Sequence, residues 1–131
     1  MAHKGNMTPS KEDYLKAILE LSGDEGTRSV DIANALGVTK ASVSIMMKTL
    51  RNEGYIAKKK YGEIKLTEKG REIAVDIKRK YELLNNFLHD VLGVEAATAA
   101  DDACRIEHLI SPETVEQISR HLQLEGGEKR A

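Results

Sequence analysis

The stretch SVDIANALGVTKASVSIMMKTLRNEGYIAKKKYGEIKLTEKG, residues 29–70, decides the fold. Ser29 reads as a helix cap, Ile32, Ala33 and Leu36 as one apolar helical face, and Gly37 as a stop. Thr39 then caps a second helix, Lys40 to about Asn52, with Val43, Met46, Met47 and Leu50 facing inward until Gly54 ends it. Two short helices split by a glycine-containing turn are a helix-turn-helix pattern. Beyond them Tyr55–Tyr61 and Glu63–Leu66 read as two short strands around Gly62, with Ile64 and Leu66 alternating to one side and charges to the other. Helix, helix, hairpin is the order of a winged helix.

Upstream, Thr8-Pro9 is an N-cap followed by a proline at the first helical position. Tyr14, Ala17, Ile18 and Leu21 carry that helix to about Ser22, before the turn Gly23-Asp24-Glu25-Gly26. Downstream, Thr67 caps a long helix to about Val91, lined by Ile73, Ile77, Leu84, Phe87 and Leu88. Gly93 separates it from a helix over about Glu95–Ile110, and Ser111-Pro112 opens a last one to about Leu122. The expected organisation is a winged-helix domain over 7–73 and a helical domain over 74–124, with 1–6 and the Gly-Gly-containing, charged tail 125–131 disordered.

The bulk composition agrees. The chain has 131 residues, 40% of them hydrophobic, with one phenylalanine and no tryptophan, which gives an aliphatic core. No apolar run approaches the ~18–20 residues of a membrane span. The first ten residues hold no apolar stretch of signal-peptide length. The single cysteine, Cys104, excludes an intramolecular disulfide. A cytoplasmic protein without membrane partners is expected. Net charge is −1 but unevenly spread: residues 1–73 carry +3 and residues 74–131 carry −4. A basic first half suits phosphate, and an acidic second half suits a cation or a partner subunit.

A helix-turn-helix places its second helix in the major groove of DNA. The outward residues early in that helix, Thr39, Lys40, Ala41, Ser42, Ser44, Ile45 and Lys48, are the candidates to reach base edges. Hydroxyls there donate to bases or phosphates; Ala and Ile touch thymine methyls. Lys58, Lys59, Lys60 and Lys65 on the wing, with Arg28 and Arg51, would neutralise phosphates. Any one of these cations reads equally well as solvated surface; the capped helices, hairpin and lysine run together point to double-stranded DNA.

The second half carries different chemistry. In Ala103-Cys104-Arg105-Ile106-Glu107-His108, the cysteine, glutamate and histidine stand at i, i+3 and i+4, one face of a helix. A thiolate, a carboxylate and an imidazole there are three donors for one divalent ion, with a fourth to come from elsewhere. The competing readings are a small buried cysteine beside an ordinary Glu-His pair, or a thiol nucleophile with a histidine base. No oxyanion hole or substrate pocket accompanies the last, so no enzymatic activity is expected.

With the winged helix and the Cys-Arg-x-Glu-His motif in view, the chain resembles the diphtheria toxin repressor and manganese transport regulator family from about Thr8 to Leu122. Supporting stretches are Glu12-Asp13-Tyr14-Leu15, Val43-Ser44, Leu66-Thr67-Glu68-Lys69-Gly70 and Glu107-His108-Leu109-Ile110-Ser111. The resemblance implies a mainly α protein: an N-terminal winged helix-turn-helix with a small β-hairpin wing, followed by an all-helical dimerisation domain. It implies a homodimeric repressor of iron or manganese homeostasis that binds a palindromic operator when Fe²⁺ or Mn²⁺ joins the first helix to the Glu-His segment. By position it implies Asp13, Cys104, Glu107 and His108 as ligands of one ion per subunit, with the Cys104 carbonyl as a further donor. Co²⁺, Zn²⁺ or Ni²⁺ would substitute in vitro. The apolar residues Val91, Leu92, Val94, Leu109, Ile110, Val115 and Ile118 serve equally as dimer surface or as core.

Asp13 has a second reading, as the last residue of a capping box over Ser10–Asp13. The chain also departs from the family pattern. Lys16, Tyr81, Asn85 and Ala100 stand where relatives place ligands of a second metal, so a second ion is not expected. The ligand set is mixed: the Cys104 thiolate favours Fe²⁺, Co²⁺ or Zn²⁺, and Asp13 makes Mn²⁺ more tolerable. The alternative function is a winged-helix regulator that is metal-independent or senses a small organic ligand.

Overall fold

A computed structural model describes residues 7–23 and 25–130, with the side chains of 124–130 left aside. The chain divides into two compact units between Asp76 and Ile77.

In the first unit, α1 (Pro9–Ser22) starts where Thr8 Oγ1 accepts from the Lys11 amide at 3.2 Å. Thr8 is therefore the cap, and Ser10–Asp13 lie inside the helix rather than forming a capping box. Helix α2 (Ser29–Leu36) is capped by the extended Arg28, with no side-chain hydrogen bond, so Ser29 is its first residue and not its cap. Gly37 ends it in the left-handed conformation, φ 66, which glycine adopts without the Cβ clash. Helix α3 (Lys40–Asn52) is capped by Thr39, whose Oγ1 accepts from the Ser42 amide at 3.0 Å. Strands β1 (Ile56–Lys58) and β2 (Ile64–Leu66) pair antiparallel, Ile56 with Leu66 and Lys58 with Ile64. They are shorter than expected because Lys60–Gly62 forms a 3₁₀ turn.

One pairing was not legible in the sequence. Thr27 bridges Ile64 in both directions, at 2.9 and 2.7 Å, so the wing is fastened at its base to the residues before α2. Helix α1 packs on α2 and β2, and α3 packs on α2 and β1. The core is aliphatic as expected: Leu15, Ile18, Ile32, Val43, Leu50 and Ile64 are almost wholly buried. Each such side chain contributes roughly 1.5–3 kcal/mol.

The start of α4 (Glu68–Asn86) is tied to the end of α3. Thr67 Oγ1 accepts from the Gly70 amide at 3.1 Å and donates to the Gly54 carbonyl at 2.6 Å. Lys69 Nζ donates to the Glu53 carbonyl at 2.9 Å and stands 4.5 Å from the centre of the Tyr55 ring. A Cβ at Gly70 would overlap the Tyr55 carbonyl, so only glycine allows this approach.

In the second unit the long helix does not run regularly to Val91. After Asn86 its last turn, Phe87–Val91, widens to π geometry, and Gly93 (φ 75) ends it. The Phe87 ring meets His121 edge-on at 5.9 Å, and His89 Nδ1 lies 2.8 Å from the Val94 carbonyl. Helix α5 covers Ala96–Ile106, stopping four residues before the expected Ile110, and is followed by a turn over 107–109. Helix α6 (Pro112–Arg130) begins where Ser111 Oγ accepts from the Thr114 amide at 3.2 Å. It continues past Leu122, where a disordered tail was expected. No proline interrupts the segment, and a glycine in a helix costs only about 1 kcal/mol against alanine. The disorder expected of residues 1–6 and of Ala131 lies outside the described residues. Among the described residues no helix is long and apolar enough to cross a membrane.

Candidate metal centre and nucleic-acid face

The end of α5 builds the candidate metal-ligating segment. Ala99 and Ala103 are wholly buried, and Glu107, one further helical turn on, continues their face. The Glu107 amide still donates to the Ala103 carbonyl at 3.0 Å, so its backbone is helical although the regular helix ends at Ile106. Its side chain is 0% exposed and that of the neighbouring His108 only 6%, and the two converge with His108 Nε2 3.6 Å from Glu107 Oε2. That gap is too long for a hydrogen bond. Two donors each ~2.1 Å from one ion in tetrahedral geometry stand roughly 3.4 Å apart, so the spacing suits two ligands of one cation.

Burial makes the case stronger. A carboxylate removed from water costs several kcal/mol unless charge and hydrogen bonds offset it. Glu107 also sits at the C-terminal, electronegative end of α5, where a cation is favoured and an anion is not. Carboxylate and imidazole are the donor types that divalent manganese, iron and zinc accept. The residues present fit such an ion.

The other two residues expected in the ligand set are Cys104 and Asp13. Cys104 is exposed, so the sequence's single shared face is divided: the buried stripe runs through 99, 103 and 107, and 104 falls beside it. Asp13 lies in the first unit, on α1, half-buried. Of the apolar candidates for core or dimer surface, Val115 is core at 4% exposure, whereas Leu92 and Leu109 are 59% and 81% exposed.

On the first unit, Thr39, Lys40, Ala41, Ser42, Ser44, Ile45 and Lys48 are all exposed, as are Arg28, Lys58, Lys59 and Lys60. Ile45, 69% exposed, is an apolar side chain left in solvent on the outer face of α3. Two of these residues have local work. The Thr39 hydroxyl accepts from the Ser42 amide and donates to Ser42 Oγ at 3.0 Å, which leaves the Ser42 hydroxyl proton available. Arg28 Nη1 donates to the Tyr61 carbonyl at 2.9 Å and so supports the wing tip, with its remaining guanidinium donors open to phosphate. Tyr61 itself was not among the residues singled out from the sequence. The signal that finds it is a tyrosine directly before the hairpin glycine.

Comparison with known proteins matches two successive stretches of the chain to two family models. Residues 6–64 match a model described as the iron dependent repressor N-terminal DNA binding domain. Residues 67–124 match the iron dependent repressor metal binding and dimerisation domain. An uncharacterized HTH-type transcriptional regulator of Methanocaldococcus jannaschii is 34% identical over 114 residues, covering 86% of this chain and 91% of that protein. The HTH-type transcriptional regulator MntR of Lysinibacillus sphaericus is 35% identical over 118 residues, covering 89% and 84%. Among solved structures, the manganese regulator SloR superposes with a TM-score of 0.78 at 38% identity, over 89% of this chain and 55% of its own. The metal-dependent transcriptional regulator MtsR does so with a TM-score of 0.81 at 31% identity, over 89% and 55%. The chain thus spans about half the length of those solved structures. With its two halves matched in this order, the chain belongs to the iron dependent repressor family of metal-dependent transcriptional regulators.

Proposed function

We propose that this protein is a homodimeric repressor that binds a palindromic operator on duplex DNA when Fe²⁺ or Mn²⁺ occupies the site at Glu107 and His108. The observation that carries the reading is the wholly buried Glu107 carboxylate 3.6 Å from His108 Nε2, at the electronegative end of a helix. Asp13 and Cys104 complete the ligand set, one ion per subunit. Lys16, Tyr81, Asn85 and Ala100 do not offer the carboxylate and imidazole donors of a second site. When bound, the cation supplies the positive charge that offsets the Glu107 and Asp13 carboxylates and couples the two units. The chain's own residues do the reading: α3 presents Ser42, Ser44, Ile45 and Lys48 to base edges, and Lys58, Lys59 and Lys60 meet phosphates.

Exposure of Cys104 bears on the choice of metal. A thiolate ligand favours Fe²⁺; a centre made of carboxylates and imidazole alone suits Mn²⁺. Anaerobic titration of the apo protein with each metal tests both points, with binding followed on a duplex recovered from a randomised pool. Couplings of ~1–3 kcal/mol correspond to a five- to 150-fold gain in DNA affinity on metal binding. Equal affinity with and without metal refutes the switch and favours the metal-independent alternative. Co²⁺ loading of the wild type and of Cys104→Ser reports the thiolate: a sulfur-to-metal charge-transfer band present only in the wild type assigns Cys104 as a ligand.

A further inference from the structure

The hairpin tip presents a side chain that neither the core nor the metal centre uses. Tyr61 is 87% exposed, the highest value among the large hydrophobic residues described. Its backbone is left-handed, φ 66 and ψ 18, and among the described residues it is the one non-glycine with positive φ. A bulky residue in that region is an outlier, and glycine would take the same conformation without strain. Packing does not account for the tyrosine, because its ring stands in solvent.

The surroundings hold the tip in place. Arg28 reaches 33 residues along the chain to donate to the Tyr61 carbonyl at 2.9 Å. The Lys59 amide donates to the Glu63 carbonyl at 2.6 Å, and the Gly62 amide to the Lys59 carbonyl at 3.2 Å. Lys58, Lys59 and Lys60, all exposed, lead directly into it. A rigid cationic projection ending in an aromatic ring with one hydroxyl complements a polyanion with a narrow, apolar-walled crevice. The minor groove of duplex DNA, about 6 Å wide, is such a crevice and admits a ring edge-on between phosphates that lysines neutralise.

We propose that Tyr61 reads the minor groove beside the major-groove segment under α3. Its hydroxyl donates to adenine N3 or thymine O2, whereas the guanine 2-amino group crowds the ring. This rests on the reading of the chain as a duplex-DNA-binding protein and adds a specificity-determining residue to it: a preference for A·T pairs at positions α3 does not touch.

The test uses the full chain saturated with Mn²⁺ and a randomised duplex pool, followed by affinity measurement on the recovered sequence. The expected result is A·T enrichment flanking the segment read by α3. Replacing those pairs with G·C should weaken binding about fivefold, near the value of one hydrogen bond. Replacing them with inosine·cytosine, which lacks the minor-groove amine but keeps the G·C major groove, should restore it. Tyr61→Phe should lose roughly fivefold in affinity. Tyr61→Gly should lose the A·T preference altogether while keeping or raising Tm, because glycine adopts φ 66 freely. A purely structural tyrosine would give the reverse, a lower Tm with base preference intact, and that result overturns the proposal. So does a Tyr61→Gly variant with wild-type affinity and wild-type A·T preference. If the metal-loaded wild type enriches no duplex at all, the DNA-binding reading falls with it.

Discussion

Replacing Glu107 by glutamine keeps shape and volume and removes one charge from a position with no solvent exposure. Water does not reach that carboxylate, so bulk solvent cannot stand in for it as a ligand. Loss of an outer-sphere partner of a metal ligand already costs 10–100-fold in affinity, and loss of a direct ligand costs at least the upper end of that range. At a metal concentration about 100 times the wild-type Kd, the wild type gains ~2.7 kcal/mol from binding. With Kd raised about 100-fold, the variant is half-saturated at best and gains about 0.4 kcal/mol. For a chain of this size 1 kcal/mol moves Tm by roughly 3–5 °C, so the metal-induced shift should fall from on the order of 10 °C to about 2 °C or less. The assay is a thermal melt followed by circular dichroism, with and without Mn²⁺ under chelator control. Glu113→Gln on the exposed start of α6 serves as the comparison and should keep the full shift. A Glu107→Gln protein whose Tm still rises by the wild-type amount, with metal-stimulated DNA binding intact, would refute the assignment of the buried carboxylate as ligand.

Gly70→Ala drives a Cβ into the Tyr55 carbonyl and should destabilise by about 1–3 kcal/mol, since backbone cannot swing aside as a side chain can; denaturant melts check it. Thr39→Ala removes the α3 cap and should cost ~1 kcal/mol of stability, with little change in base preference because the hydroxyl is engaged with Ser42. Burial pushes the Tyr14 phenol above its ordinary pKa. The unfolded chain then releases that proton first, so the folded state binds more protons above about pH 10 and stability falls as pH rises from there. In Tyr14→Phe that part of the alkaline decline should vanish, and an unchanged pH profile of urea midpoints would show that Tyr14 is not its source.

Much of the fold was legible because its signals are local. Thr8-Pro9, Thr39, Thr67 and Ser111-Pro112 announce helix starts through hydrogen bonds made within three residues. Gly37 and Gly93 announce stops through backbone conformations that a Cβ disfavours. Three errors have one origin. Ser29 read as a cap, α5 as running to Ile110, and α6 as ending near Leu122, because helix ends are set by small differences that neighbouring packing readily outweighs.

The sequence by itself determined the order of elements, the winged helix and the presence of a Cys-Arg-x-Glu-His motif after it, since periodicity, caps and motif spacing are properties of the chain within a few residues. Which member of that motif is buried was decided only by tertiary structure. Spacing puts 104, 107 and 108 on neighbouring sectors of a helix, but the inward sector is the one that packs closest, and Ala99 and Ala103 turn Glu107 inward and leave Cys104 in solvent. The Thr27–Ile64 bridge and the left-handed Tyr61 held by Arg28 belong to the same class. Each is a contact between segments more than thirty residues apart, and no local pattern encodes it.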